Sequence, residues 1–419
     1  MTTPPTISIP SVPAADEPIP RRKAIEFVLR LARALHEAGT PAPRLEEALT
    51  AVSTQLGLTA AFFSTPTSIL AAFGEEGASQ RTCMIRVEPS SLNLERLIRI
   101  DEVATAVGSA EMTAEQGADE LDRIATATPR YGPLTTIACC AVASAGSAAF
   151  LGGSWSDVAA SGFVGLIVGA LMRLAIERPQ ISLIVELVGG AMAAMLALLA
   201  ERYIPGARSG VITVSGIIVL LPGLTLTLAM SELASRHLVS GSSRLFAALM
   251  VLILISMGVA VGRQITPLLP PLVDSAHVPV ASWAAWSALA IVPLAFTVLF
   301  KARPRDYVPI AIAGAIGILG ATRSAPILGV ELSAGLGAFL VGSFANVYSR
   351  VLLRPSSIPK LPGIVLLVPG SLGFRSVQSF LDADAISGIT TAFSMILIAV
   401  SLAAGLLLAN VAVKSRKTL

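Results

Sequence analysis

Charge is scarce in this sequence. Only 14% of its 419 residues are Asp, Glu, Lys or Arg, whereas soluble domains carry about 25%. That deficit excludes one large soluble enzyme. The net charge of +3 is too small and too scattered for a nucleic-acid binder. Cysteine is nearly absent, and Cys83, Cys139 and Cys140 form no CxxC or Cys/His constellation, so neither a disulfide framework nor a metal site is expected. The adjacent Cys139 and Cys140 sit in an apolar run and read as small packing residues. The three histidines (His36, His237, His277) are scattered, and His36-Glu37 is expected on a solvated helix face. HExxH, GxSxG and P-loop patterns are missing, which removes zinc protease, serine hydrolase and ATP-driven pump readings. With no nucleophile–base pair evident, no catalytic residue, cofactor or enzyme activity is assigned.

What the chain has in excess is apolar sequence: 54% hydrophobic residues and a mean hydropathy of +0.75. The excess lies after about residue 133, in runs of about 20 residues that suit a bilayer. Before it, residues 1–21 hold six prolines and no long apolar run, and read as a disordered tail rather than a signal peptide. Residues 22–128 have ordinary soluble composition. Ile25, Val28, Leu29, Ala32 and Leu35 share one helical face in 23–38, and a second helix is expected at 45–56. Three strands are expected near 59–63, 67–73 and 81–87, then helices near 92–107 and 113–127. Thr113 and Gln116 have capping-box spacing at the start of the last. A small cytosolic α+β domain is therefore predicted before the membrane part.

Apolar spans are expected near 134–153, 160–177, 181–201, 211–230, 244–262, 281–300, 307–322, 327–347, 363–381 and 386–412, ten in all. With the N-terminal domain in the cytosol, the inner loops and C-terminal tail hold 13 basic residues: Arg173, Arg178, Arg236, Arg244, Lys301, Arg303, Arg305, Arg350, Arg354, Lys360, Lys414, Arg416 and Lys417. The outer loops hold four, Arg202, Arg208, Arg263 and Arg323, a clear positive-inside bias. Trp155, Trp283 and Trp286 all fall at the outer interface, as an aromatic belt requires.

Self-comparison finds a repeat. LLPGLTLTLAMSELASRHLVSG in the fourth span matches LVPGSLGFRSVQSFLDADAISG in the ninth, with 18 residues from Gly223 to Gly241 and from Gly370 to Gly388. Val185-Glu186-Leu187 matches Val330-Glu331-Leu332 at an offset of 145, and Asp157 and Gly165 match Asp306 and Gly314 at 149. Two five-span halves, 129–270 and 279–419, follow. Five is odd, so the second half enters the bilayer from the opposite side, the inverted arrangement used by many secondary transporters. The expected fold class is an α-helical polytopic membrane protein of ten transmembrane helices in two inverted five-helix repeats.

Proline-glycine within an apolar span breaks the helix and frees backbone groups that protein, water or ligand must satisfy. The matched breaks at Pro222-Gly223 and Pro369-Gly370 mark a candidate substrate site, because each following half-helix offers N–H groups and a positive dipole end to a carboxylate. Thr225, Thr227 and Ser231 follow the first break; Ser371, Arg375, Ser376 and Gln378 follow the second. The bland alternative is a pair of structural kinks. Glu186 and Glu331 are candidate proton-coupling residues, since a carboxylate near a span centre costs about 2.5–3.5 kcal/mol on insertion scales. Ser182, Glu186, Gly190 and Ala194 have i, i+4 spacing, which places Glu186 on a small-residue face; the alternative is an interfacial glutamate bonded to neighbouring helices. Glu232 and Arg375, past the breaks, can also be interfacial. Ser161, Gly165 and Gly169 form a close-packing stripe and nothing more specific.

FVLRLARALHEAGTPAPRLEEALTAVSTQLGLTAAFFSTPTSILAAF, GGSWSDVAASGFVGLIVG and both PG…SG segments resemble the threonine/serine exporter family, over about residues 24–415. The resemblance implies efflux of threonine or serine across the bacterial inner membrane, driven by the proton motive force in the manner of an antiporter. Some relatives divide this architecture between two subunits and are associated with succinate, so a dicarboxylate exporter is the alternative substrate reading; Arg375 would then be an anion donor. A membrane-anchored metabolite sensor is the alternative of another class. The partners implied are a small amino acid or carboxylate, protons and the lipid bilayer. A homo-oligomer is compatible with this, and nucleic acid is not implied. Both termini should lie in the cytosol; reporter fusions that place them on opposite sides would end the ten-span reading.

Overall fold

Apolar residues at helical spacing gather the N-terminal part around one core. Ile25, Phe27, Val28, Leu31, Ala32 and Leu35 of helix α1 (Ile19–Glu37) are fully enclosed, together with Leu45 and Leu49 of α2 (Ala42–Gln55). The computed structural model describes residues 19–75, 77, 80–88, 92–268 and 277–413. The expected proline-rich tail falls largely on residues 1–18, the basic tail on 414–419 and the junction of the two halves on 269–276, all outside the described residues. Strands β1 (Ala60–Thr65), β2 (Ser68–Phe73) and β3 (Arg81–Arg86) form an antiparallel sheet in that order. Ile69, Ala71 and Phe73 alternate inward toward the same core, as a pleated strand requires. Helices α3 (Leu94–Gly108) and α4 (Ala114–Thr126) close it. The α4 capping box is complete: the Gln116 N–H donates to Thr113 Oγ1 at 3.3 Å, and the Thr113 N–H to Gln116 Oε1 at 3.1 Å. His36 is not solvated. It is 6% exposed with Nε2 3.1 Å from the Pro66 carbonyl, and burial pushes its pKa below the usual histidine value.

The apolar part comprises α5 (Pro133–Phe150), α6 (Trp155–Glu177), the short α7 (Pro179–Ser182), α8 (Val185–Tyr203), α9 (Ser209–Gly216), α10 (Gly223–Ala234), α11 (Leu238–Arg263), α12 (Ser282–Leu299), α13 (Tyr307–Leu352), α14 (Ser357–Val365), α15 (Gly370–Leu381) and α16 (Ala385–Ala412). Six segments are long and apolar enough to cross a membrane by length and composition: Pro133–Phe150, Trp155–Glu177, Leu238–Leu268, Pro304–Leu352, Ser357–Leu381 and Ala385–Ala412. The chain is a polytopic α-helical membrane protein. Helix α6 begins at Trp155, five residues before the apolar run alone suggests. Ser154 and Asp157 explain the early start, because each side chain accepts the other's backbone N–H, at 3.1 and 2.8 Å.

Helix α13 is two helices joined at Gly329, whose φ of 77° and ψ of 165° reverse the chain. A Cβ on Gly317 would lie 2.8 Å from Val341, and one on Gly320 2.6 Å from Leu340, so the arms 307–328 and 330–352 lie side by side.

Glycines set the tightest helix contacts. A Cβ on Gly190 of α8 would stand 2.4 Å from the Ile255 carbonyl oxygen of α11, and one on Gly258 only 2.0 Å from that of Leu187. The second half repeats the device. A Cβ on Gly405 of α16 would stand 2.1 Å from the Gly335 oxygen of α13, and one on Gly335 2.8 Å from the Ser401 oxygen. Gly165 and Gly169 seat α6 on Ser144 and Cys140 of α5 in the same way. Backbones this close leave no room for a methyl group.

The N-terminal unit is fastened to the apolar part. The first N–H groups of α3, on Leu94 and Glu95, donate to the carbonyls of Phe300 and Lys301 just past α12, at 3.0 and 3.1 Å. Tyr131 donates to the Ala302 carbonyl at 2.7 Å, and Ile98 packs with Tyr348 and Ile358. Helix dipoles meet head to tail at that α12–α3 junction.

Gly258→Ala should lower the melting temperature of the solubilised protein, corresponding to a loss on the order of 1–3 kcal/mol. Gly210→Ala, where a Cβ meets nothing within 4 Å, should not; equal behaviour of the two would remove the glycine seam as a stabilising contact.

Candidate substrate site at two facing helix breaks

Proline cannot donate a backbone hydrogen bond, so each Pro-Gly pair ends one helix and begins another. Pro222 (φ −80°, ψ 40°) precedes α10 and Pro369 (φ −82°, ψ 30°) precedes α15; both half-helices are 12 residues long, and neither has a side-chain cap. The breaks meet. A Cβ on Gly370 would lie 3.2 Å from Gly223 Cα and 3.4 Å from Gly223 N, and one on Gly223 would lie 2.2 Å from Val368 Cγ1. Two helix starts, 147 residues apart in the sequence, therefore meet at their glycines, with Leu221 and Val368 beside them.

Leu226 and Gly373 return the first helical bonds, to the Pro222 and Pro369 carbonyls at 2.9 and 3.1 Å. The Gly223 N–H is turned back onto Leu221 O at 2.8 Å, so Leu224, Thr225, Ser371 and Leu372 carry the N–H groups without an intrahelical acceptor. Thr225 and Ser371 are half-buried beside them. Thr227 is buried and spends its hydroxyl on the Gly223 carbonyl at 3.3 Å. Ser231 and Gln378 are not brought to the breaks, since eight residues of helix separate each from its glycine, about 12 Å. Gln378 donates to Asp382 at 3.4 Å and its Oε1 has no partner among the described residues. Ser376 donates to the Gly388 carbonyl at 2.8 Å, and Arg375 is exposed.

The half-helices end toward opposite ends of α11, near Arg244 and at Arg263. The end of α15 carries Asp382, paired with Arg263 at 3.3 Å. The end of α10 carries Glu232, which is 1% exposed and lies against the N-terminal unit. Glu232 Oε1 accepts the Ala42 N–H at 3.1 Å, and Oε2 accepts Ser240 Oγ at 2.9 Å and Arg244 Nε at 3.1 Å. His237, just past α10, reaches Glu46 of α2 at 3.2 Å. The N-terminal unit thus grips the far end of a broken helix.

Glu186 and Glu331 occupy the second positions of α8 and of the second arm of α13. Both are half-buried, and Glu331 accepts from Ser394 at 3.1 Å. Gly189, one turn beyond Glu186, abuts Leu220; Gly337, two turns beyond Glu331, abuts Leu367. Each glutamate thus stands one or two turns from a glycine that meets the residue two positions before a break. Ser182 does not share the Glu186 face, because it belongs to the separate α7 and Ile184 interrupts the helix between them.

Sequence reasoning gave no role to two buried carboxylates. Asp157 accepts the Arg208 N–H at 2.7 Å immediately before α9, and Asp306 takes Arg354 at 3.3 Å shortly before α14. Both are 0% exposed. Arg208 and Arg354 repeat at an offset of 146, close to the 149 of the aspartates; that double match was the available signal.

Two family profiles match the chain: one for a threonine/serine exporter over residues 26–266, and one described as "Threonine/Serine exporter, ThrE" over 285–412. The chain belongs to the threonine/serine exporter family. Among curated proteins it is similar to "Pheromone-regulated membrane protein 10" of Saccharomyces cerevisiae, 25% identical over 91% of this chain and 53% of that protein. The protein of the same name from Candida albicans is 27% identical over 87% of this chain and 34% of its own length. The chain spans about half the length, or less, of these relatives. No solved structure matches. Both profiles describe the family as one of exporters.

Glu232→Ala should leave Arg244, Ser240 and the Ala42 N–H unpaired, at a cost on the order of 3–5 kcal/mol. Faster proteolysis of the 127–132 connection in the purified variant is the expected readout. Cleavage at the wild-type rate would mean that Glu232 does not hold the N-terminal unit.

Proposed function

We propose that the protein is a proton-coupled secondary exporter of threonine or serine. In this reading ten crossings form two inverted five-helix halves around a central site. The observation that carries it is the apposition of Gly223 and Gly370. Two uncapped helix starts at one point attract a carboxylate, and their far ends reach opposite faces, as inverted halves require. Helix α8, the paired half-helices α9–α10, helix α12 and the second arm of the α13 hairpin supply the four crossings that length alone does not count. Substrate lodges between the breaks only when they part, because glycine Cα atoms already fill the gap. Parting toward one face and then the other is alternating access.

Thr225 and Ser371 are suited to a substrate hydroxyl. Glu186 and Glu331 carry the proton, near enough to the breaks to sense their separation. Succinate is the alternative cargo. Arg375 lies five residues beyond Gly370, about 7.5 Å along the helix, and is exposed, which favours one carboxylate at the breaks over two. The same reading places the protein in a bacterial inner membrane with both termini in the cytosol.

Proteoliposomes with an imposed pH gradient should release threonine or serine in preference to succinate, and Glu186→Gln with Glu331→Gln should suppress the pH-driven component. Gly370→Ala presses its methyl on the Gly223 backbone at 3.2 Å, so affinity measured on the folded protein should fall about tenfold or more, the equivalent of one charge-assisted hydrogen bond, with a loss of melting temperature smaller than that of Gly258→Ala. Undiminished binding in this folded variant would reduce the breaks to structural kinks.

A further inference from the structure

We propose that the junction between the N-terminal unit and the apolar part holds the phosphate of an anionic glycerophospholipid in a cleft lined by Arg130, Arg303, Pro304 and Arg305. The cleft is shallow and open on its outer side, with a volume of about 430 Å³, room for a phosphate and its glycerol linkage. The inference rests on the reading that α5 and α13 enter the bilayer at one face, and it concerns a site remote from the helix breaks.

Its walls are built rather than incidental. The segment bearing Arg303 and Arg305 is fixed by the α3 N–H groups on Phe300 and Lys301, by Tyr131 on Ala302, and by the Arg303 N–H on Asp306 Oδ2 at 3.2 Å. Arg130 is held from the other side, donating through two nitrogens to Glu95, with Nε to Oε2 at 2.9 Å.

Cations outnumber their partners. Glu95 neutralises Arg130 and lies 3.8 Å from Arg303; Glu102, 60% exposed, lies 3.7 Å from Arg303. Asp306 is occupied by Arg354 and the Arg303 backbone. Arg305 is exposed, and the Asp306 carboxylate acts on it only at longer range. Arg99 adds to the positive field on Glu95, whose carboxyl the Arg130 hydrogen bond holds below its usual range. Burial, reinforced by Arg96, pushes the Lys301 ammonium down as well.

The surroundings select a lipid. Leu134, four residues after Arg130 in the first turn of α5, is 81% exposed, and Val308, three residues after Arg305 in the first turn of α13, is 57% exposed. Charged groups that line the cleft with bare apolar side chains just beyond them match a headgroup above its acyl chains. Basic pockets on the cytosolic side of spans recognise anionic lipids in this way.

The test uses the full-length protein in neutral detergent, titrated with phosphatidylglycerol, phosphatidylcholine or inorganic phosphate while thermal unfolding is followed. Phosphatidylglycerol should raise the melting temperature, and phosphatidylcholine should not. Arg305→Gln, an exposed position that the fold does not need, should weaken the phosphatidylglycerol response about fivefold, the effect of one surface cation, whereas Arg305→Lys should retain most of it. Equal responses to the two lipids, or a full response in Arg305→Gln, would overturn the proposal. Inorganic phosphate reproducing the shift would assign the cleft to a soluble anion instead. Substrate binding at the helix breaks is read separately in the same preparations, so failure of one site is distinguishable from failure of the other.

Discussion

Two positive helix ends pointing at each other in an apolar setting repel, and each leaves backbone N–H groups without acceptors. The starts of α10 and α15 are in that position, and proline precedes both where an Asp or Ser cap would ordinarily stand. An unsatisfied N–H in the hydrocarbon region costs several kcal/mol. The arrangement persists because the surrounding helices impose it, and it is relieved by an anion with several acceptor oxygens. A substrate carboxylate is such an anion. On the proposed function, the unfavourable meeting of the two breaks is also the source of affinity.

Everything around the breaks restrains them. The glycine seams between α8 and α11 and between α13 and α16 let backbones approach until carbonyl oxygens fill the space a methyl group would need. Asp157 with Arg208, and Asp306 with Arg354, fasten the loops that lead into the two broken helices. Glu232 fastens the far end of α10 to the N-terminal unit. On the proposed function, a motion that separates Gly223 from Gly370 would pull on these attachments. The N-terminal unit is thereby linked mechanically to the breaks, although it lies outside the apolar part.

The features legible in the sequence were those set by local chemistry. Pro222-Gly223 and Pro369-Gly370 announce their breaks because proline has no N–H, and the capping box of Thr113 with Gln116 follows from spacing alone. The elements of the N-terminal unit were visible as periodicity, within a few residues at each end. Long-range partnerships were not. Nothing local to Glu232 says that the Ala42 N–H, 190 residues earlier, donates to it. His36 looks solvated by its neighbours, yet the β1–β2 turn covers it. Ser182 has the right spacing to share a face with Glu186, but Pro179 starts a separate short helix and Ile184 breaks the phase. Facing of the two breaks was readable only through the matched Pro-Gly segments of the sequence repeat, since nothing local to either break names the other.

The central claim is that substrate sits between the breaks. The most direct measurement is the rate at which a small thiol reagent modifies Ser371→Cys in the solubilised protein, with the native Cys83, Cys139 and Cys140 replaced by alanine. Position 371 is half-buried at the start of α15, beside the N–H groups that should hold the carboxylate. Millimolar threonine or serine should slow modification severalfold, whereas an amino acid amide lacking the carboxylate should not. The account is contradicted if the rate is the same with threonine, serine, succinate or nothing present, in a protein that still releases its substrate.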